Sequence, residues 1–340
     1  MSGKRYATHS GSWYSDSKSV LSNQLQTWLD KVPSATEESI SIPVNGATAI
    51  IVPHAGYSYS GETAAHAFKC VDITKFDKIF ILGPSHHSYF KECRLSPFKH
   101  YSTPLGDIKI DLEINKELAD SKHFSYLDGT VDEEEHSLEM QLPYLYKIFE
   151  DRIDEVALIP IMVGSINSSL EKKYGELLSP YFKESRNLFV ISSDFCHWGS
   201  RFSYTFYSSS KTPSSDPDDF DTCTNRPFKL YEAIENLDRE GMNIIEAIDF
   251  DQFKQYLQTT GNTICGRHPI SILLAILEHT FPKISRNPIS DQGITDGQYS
   301  GSVPILKFIY YAQSSQITSK RDSSVSYAAG YVFNPITLNK

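Results

Sequence analysis

Three strings in this chain put metal-ligating and proton-moving side chains directly after an apolar run. Pro53-His54-Ala55-Gly56-Tyr57 follows Thr48–Pro53, Gly83-Pro84-Ser85-His86-His87 follows Lys78–Leu82, and Ser193-Asp194-Phe195-Cys196-His197-Trp198 follows Leu188–Ser192. Imidazole and carboxylate are transition-metal ligands, and a histidine near its ordinary pKa both accepts and returns a proton. A fourth string, Thr263-Ile264-Cys265-Gly266-Arg267-His268-Pro269, sets a cysteine just before a helix expected to start near Pro269. There the helix dipole favours the thiolate, the form that binds metals. Asp194, His197, His54, His86 and Cys265 are therefore the candidates for chemistry, with Tyr57, His87 and Arg267 as pocket neighbours. Adjacent His86 and His87 point in different directions, so at most one of them faces the site.

A fifth segment, Asp132-Glu133-Glu134-Glu135-His136-Ser137-Leu138-Glu139-Met140-Gln141-Leu142-Pro143, opens on a run of acids. Acids at a helix start complement its positive end, so they read as structural. His136 is kept as an outer-sphere or substrate contact. Cys70, Cys93 and Cys196 read as small buried hydrophobes, and His9, His66, His100, His123 and His279 as ordinary histidines.

The elements that must position these strings follow from patterning. Thr48–Pro53, Lys78–Leu82, Val156–Val163 and Leu188–Ser192 are β-branched, near-continuously apolar and bounded by Gly, Pro or Ser, as strands covered on both faces are. Helical patterns at Ser17–Leu29, Gly61–Cys70, His136–Phe149, Ser168–Phe182 and Pro269–His279 alternate with them. Val303–Tyr311 and Ser324–Val332 supply further strands. The alternation predicts an α/β fold: a single domain with a central, mostly parallel sheet flanked by helices. In such sheets ligands bind beyond the carboxyl ends of the strands, which would bring the strings together. Ser208–Thr224, polar with two prolines, reads as an exposed insertion loop, and Ser285–Ser302 as another polar connection.

Composition narrows the function classes. Among 340 residues, Lys+Arg number 32 against 42 Asp+Glu, a net charge of -10. With no basic run, the chain lacks the footprint of a phosphate-backbone binder, so nucleic acid is excluded as an expected partner. The longest apolar runs, Val156–Val163 and Ile270–Leu277, are far short of a membrane span. The opening MSGKRYATHSGSWY has no apolar stretch after its basic residues and so does not read as a secretory signal. Five cysteines, an odd count spread over a long chain, argue against a disulfide framework. These features place the chain in the reducing cytoplasm, with the nucleus also open to it.

The segments PHAGYSYSGETAAHAF, ILGPSHH, DEEEHSLEMQLPYL, SSDFCHWGSRF, NTICGRHPI and YAQSSQ followed by DSSVSYAAG resemble, in order, those of the Memo family, named for a mediator of receptor-driven cell motility. The resemblance extends from about Pro53 to Gly330. That family is similar in turn to the class III extradiol dioxygenases, which use non-haem Fe(II). The resemblance implies one α/β domain with a metal cleft at one end of the sheet, and His54 and His86 as two histidine ligands. It sets Cys265 where the dioxygenases carry a third, carboxylate ligand, His197 where they carry their general base, and Asp194 as a residue that fixes a histidine tautomer or binds the metal.

Two histidines and a carboxylate form the facial triad of Fe(II) oxygenases. A thiolate in place of the carboxylate softens the site, and it is itself oxidisable. The softer site makes copper(I) or zinc more competitive and argues against ring cleavage; the resemblance then implies iron or copper, ahead of zinc, with redox chemistry on an unknown small-molecule substrate. The family association adds control of motility, the cytoskeleton or polarised and invasive growth. The alternative it carries is a non-catalytic signalling adaptor whose pocket binds phosphotyrosine-type peptides or signalling proteins.

Overall fold

The apolar runs form the middle of a twelve-stranded mixed sheet. The computed structural model describes residues 2–207, 229–282, 294–295, 297–299 and 302–339; Ser208–Thr224 and most of Ser285–Ser302 lie outside them. The strands are β1 (Ser2–Arg5), β2 (Ala47–Val52), β3 (Lys78–Pro84), β4 (Cys93–Leu95), β5 (Phe98–Ser102), β6 (Asp107–Ile110), β7 (Phe124–Tyr126), β8 (Ala157–Val163), β9 (Asn187–Ser192) and β10 (His197–Trp198). A separate hairpin, β11 (Ile294–Thr295) and β12 (Gln298–Tyr299), precedes the long β13 (Ile305–Gln313) and β14 (Ser324–Phe333).

Strand order runs β1-β5-β6-β8-β3-β9-β2-β14-β10, with β13 on β14 and β4 bridging β7 and β8. From β6 to β2 every neighbouring pair is parallel. The two late strands expected from the sequence are antiparallel: β14 pairs with β2, and β13 with β14. The expected α/β fold with a mostly parallel centre is therefore the observed one, extended by antiparallel strands on both sides.

Period-two alternation divides the core into two layers. Ile50, Val52, Ile79, Ile81, Leu188 and Val190 face α1 (Lys18–Lys31) and α2 (Tyr57–Lys69). Ile51, Phe80, Leu82, Phe189 and Ile191 face α7 (Ser168–Phe182), α8 (Leu230–Glu246), α9 (Phe250–Thr260) and α10 (Arg267–Thr280). Between them in sequence lie α3 (Leu112–Asp120) and three short helices, α4 (Gly129–Glu134), α5 (His136–Glu139) and α6 (Leu142–Ile148).

The single helix expected over His136–Phe149 is broken between α5 and α6. Pro143, in the first turn of α6, has no N–H to continue a helix from before it. The break matters for the site, because it frees the start of α5 to lie on β3. A Cβ at Gly83 would sit 2.6 Å from Ser137 Oγ, so glycine permits this close approach.

Candidate metal centre

The order β3-β9-β2 sets three parallel strand ends side by side. His86 lies two residues past β3, Asp194 two past β9 and His54 two past β2, all at the same edge. The ends are tied together: Ser193 N–H donates to Val52 O at 2.8 Å, and His54 N–H to Asp194 Oδ1 at 2.8 Å. The start of α5 adds His136. The ring centroids of His54, His86 and His136 are 4.4–5.4 Å apart, and one nitrogen from each lies within 4.8 Å of the others. Three imidazoles so placed could hold a metal ion.

Hydrogen bonding settles that Nδ1 carries a proton in two of the three rings. The single hydroxyl hydrogen of Ser192 is given to Ser137 O at 2.7 Å. Its oxygen must then accept from His54 Nδ1, 2.7 Å away, and from Gln141 Nε2 at 3.0 Å. His54 is therefore protonated on Nδ1, and its Nε2 lone pair faces the centre. His86 Nδ1 lies 2.9 Å from Glu135 Oε1, a carboxylate that only accepts, so its Nε2 is likewise turned inward. His136 Nδ1 is buried 3.4 Å from the same Glu135 Oε1, an ion-pair distance without a hydrogen bond among the described residues. A Nδ1–H held by an outer acceptor, as in His54 and His86, is the tautomer that a metal-binding histidine presents.

Glu135 is the outer partner that ordering by sequence missed. Its carboxylate takes the ring and backbone N–H of His86 and the N–H of Ser137, which caps α5. Burial opposes its ionisation, but the contacts with His86 outweigh it and hold the carboxyl well below its ordinary range. Burial likewise opposes charge on His86, and hydrogen bonds with Cys265 and Glu135 lift its pKa to about 10. Burial, with His86 close by, holds His54 well below its ordinary value. Burial and the neighbouring His54 and His86 do the same to His136. Without metal, then, one proton is held on His86 and the other two rings are neutral.

Cys265 lies beside His54, next to the group formed by the three imidazoles. Its Sγ lies 3.1 Å from His54 Nε2 and accepts the Asp194 N–H at 3.3 Å. Gly266 makes this possible: a Cβ there would lie 2.3 Å from Ser193 Cβ. The thiolate expected at the helix start is not the favoured form in the metal-free site. Burial raises the thiol pKa and outweighs the lowering contact with His86.

Of the two roles expected of Asp194, it does not fix the His54 tautomer. Its Oδ1 accepts backbone N–H groups of His54 and Ala55, so Ser192, not Asp194, sets the His54 tautomer. Burial raises the Asp194 carboxyl pKa against the opposing effect of His197. His197 Nδ1 faces two carbonyls, Phe195 O at 2.9 Å and Thr263 O at 3.2 Å. Carbonyls only accept, so Nδ1 carries the proton and Nε2 is the basic nitrogen. Pairing of His197 with Val325 across β10 and β14 fixes its backbone.

These groups line a cleft of about 700 Å³, with His54, His86, His136, Asp194 and His197 on its floor and walls. Trp13, Tyr59, Phe202 and Tyr327 supply aromatic surface, and Arg201, Ser314, Ser315, Ser323 and Ser324 the rest of the polar lining. Three expected neighbours fall elsewhere. Tyr57 is buried behind the site, donating to Met140 O at 2.7 Å. His87 is exposed, its ring 6.0 Å from that of His136. Arg267 lies on the surface in a separate depression with Ser168 and Lys254.

His9 is not an ordinary surface histidine. It bonds Glu139 Oε2 at 2.9 Å, and its ring lies 5.8 Å from that of His136. The acids also do more than complement a helix dipole. Arg5, wholly buried, bonds Glu139 Oε2 at 2.8 Å, Asp132 Oδ1 at 3.2 Å and the Glu135 carbonyl at 2.8 Å. Cys70, Cys93 and Cys196 are buried free thiols, as expected.

Comparison with known proteins shows what the chain as a whole is similar to. The family described as Memo-like protein matches residues 5–331. Protein MEMO1 of Rattus norvegicus and of Homo sapiens are each 44% identical over 326 residues, 96% of this chain and 96% of theirs. Protein memo-1 homolog of Caenorhabditis elegans is 41% identical over 329 residues, 97% of this chain and 82% of that one. Among solved structures, uncharacterized protein JW3007 from Escherichia coli K12 aligns with a TM-score of 0.42 at 11% identity, covering 82% of this chain and 98% of that chain. No described helix is long and apolar enough to cross a membrane.

Proposed function

This chain belongs to the Memo family, and we propose that it is a metal-binding redox protein that holds iron or copper at the strand-end cleft. The observation that carries the reading is the convergence of His54, His86 and His136, with the Nδ1–H of His54 held by Ser192 and that of His86 by Glu135. Cys265 is the fourth donor, and the mixture of nitrogen and sulfur suits iron or copper. A bound ion of either kind would supply one-electron and oxygen chemistry. The chain's own residues do the rest. Glu135 and Ser192 orient the rings, and His197 Nε2 moves a proton to or from a ligand in the cleft. Asp194 holds the His54 backbone in place. Action in motility, the cytoskeleton or polarised growth belongs to the same proposal.

The test is metal content. Protein purified without a metal-chelating tag is assayed for iron, copper and zinc beside His54→Ala, His136→Ala and Cys265→Ala. Near-stoichiometric iron or copper, lost in the variants while circular dichroism is unchanged, supports the reading. A wild-type protein that takes up neither Fe(II) nor Cu(I) under anaerobic, reducing conditions refutes it. If cleft variants lose a signalling partner whatever their metal content, the peptide-binding adaptor is the better account.

A further inference from the structure

Arg201 sits in the short 3-10 turn Ser200–Phe202 after β10, at the mouth of the cleft, and is the single Lys or Arg that lines it. Arg94, Arg152, Arg186 and Arg239 each hold a carboxylate at 2.6–2.9 Å. Arg201 holds none among the described residues. It is exposed, and its guanidinium carbon packs 5.6 Å from the centre of its neighbour Phe202. Across the lip, the hydroxyls of Ser315 and Ser324 are spent on backbone carbonyls, and Ser314 Oγ accepts the Val325 N–H. The Ser323 hydroxyl makes no bond within the described chain and is a second open donor.

The one acid lining the cleft, Asp194, turns Oδ1 into the backbone of His54 and Ala55. A chain of net charge -10 therefore presents, at the opening of this cleft, a guanidinium with no counter-charge among the described residues. Such a charge draws anions in and discriminates against neutral molecules.

We infer that the cleft takes a small organic carboxylate, its carboxylate bound by Arg201 with Ser323 and its apolar body lying on Trp13, Phe202 and Tyr327. The inference rests on the cleft being the functional site, as proposed above. A guanidinium pairs with a carboxylate through two parallel N–H bonds. A single fixed cation matches one negative charge, whereas a phosphate monoester carries nearly two. The volume of about 700 Å³ lies in the range that small-molecule sites occupy.

Benzoate, benzyl alcohol and phenyl phosphate are the probes, titrated by ligand-observed NMR into the full chain, both stripped with EDTA and loaded with Zn(II). Benzoate is expected to bind wild type in the millimolar range or tighter, and to weaken about tenfold in Arg201→Gln. Arg201→Lys, which keeps the charge, should lose less, and benzyl alcohol should bind both variants and wild type alike. The inference is overturned if Arg201→Gln binds benzoate as wild type does, if benzyl alcohol binds as tightly as benzoate, if benzoate does not bind, or if phenyl phosphate is preferred. In the metal-stripped arm His86 is paired with Glu135 in wild type and variant alike, so their difference reads Arg201, and failure of metal binding is seen separately in the metal content.

Discussion

Replacing Glu135 by Gln tests whether the centre depends on an oriented imidazole. The carboxylate makes three short bonds, to His86 Nδ1 at 2.9 Å, His86 N at 2.6 Å and Ser137 N at 2.8 Å. Gln keeps the shape and one acceptor oxygen. Its amide nitrogen must face an N–H, the shortest contact being that of His86, so one buried bond becomes a donor facing a donor. The negative charge that makes the His86 ring a stronger ligand is also lost. Removing an outer partner of a metal-binding histidine weakens affinity about 10- to 100-fold, equivalent to roughly 1.4–2.7 kcal/mol. The assay is an anaerobic Fe(II) titration against a chelator of known affinity, with far-UV circular dichroism to establish that the fold persists. Glu135→Gln should be weakened within that range, and His86→Ala should bind more weakly still. Should Glu135→Gln bind within twofold of wild type while His86→Ala binds no metal, the carboxylate does not orient the ring and the reasoning fails.

Arg5→Met leaves Asp132 and Glu139 buried without their cation and should cost about 3–5 kcal/mol in urea unfolding; a loss below 1 kcal/mol would mean the network is already neutral. Gly266→Ala drives a Cβ to 2.3 Å from Ser193 Cβ and 2.5 Å from Ser192 O, so α10 must retreat and carry Cys265 with it. Stability should fall by about 1–3 kcal/mol and metal affinity with it; unchanged affinity would place Cys265 outside the binding group. Asp238, bonded to Cys196 N, Asn262 and Tyr311, has its pKa raised from 3.8 to about 6 by burial. A raised folded pKa gives stability that is full below about pH 4 and lost as pH rises through 6. Relative to Asp238→Asn, wild type should therefore lose about 2 kcal/mol between pH 4 and pH 7, and parallel unfolding curves for the two proteins across that range would contradict the assignment.

Much of the scaffold was legible because it is written locally. Strands covered on both faces need continuous apolar runs, and β2, β3, β8 and β9 lie where those runs lie. The short strands β4–β7 and the amphipathic α8 and α9 went unread because their buried positions are interleaved with exposed ones. Fewer still of the site's working contacts were legible. His136 stood next to an acidic run that a helix dipole explained well enough, and only the break at Pro143 carries it to His86.

By itself, then, the sequence determined that His54, His86 and Asp194 end up at one sheet edge, since parallel strands bring their carboxyl ends together wherever they come from in the chain. It determined too that Cys265 stands at a helix start. The tertiary structure alone decided which atoms do what. Glu135 meets His86 across 49 residues, Ser192 meets His54 across 138 and Cys265 meets His54 across 211. Tautomer and charge are set by such partners, and by a burial that overrides the helix dipole at Cys265. Neither is encoded by spacing along the chain, because each depends on which distant group packing brings within hydrogen-bond reach.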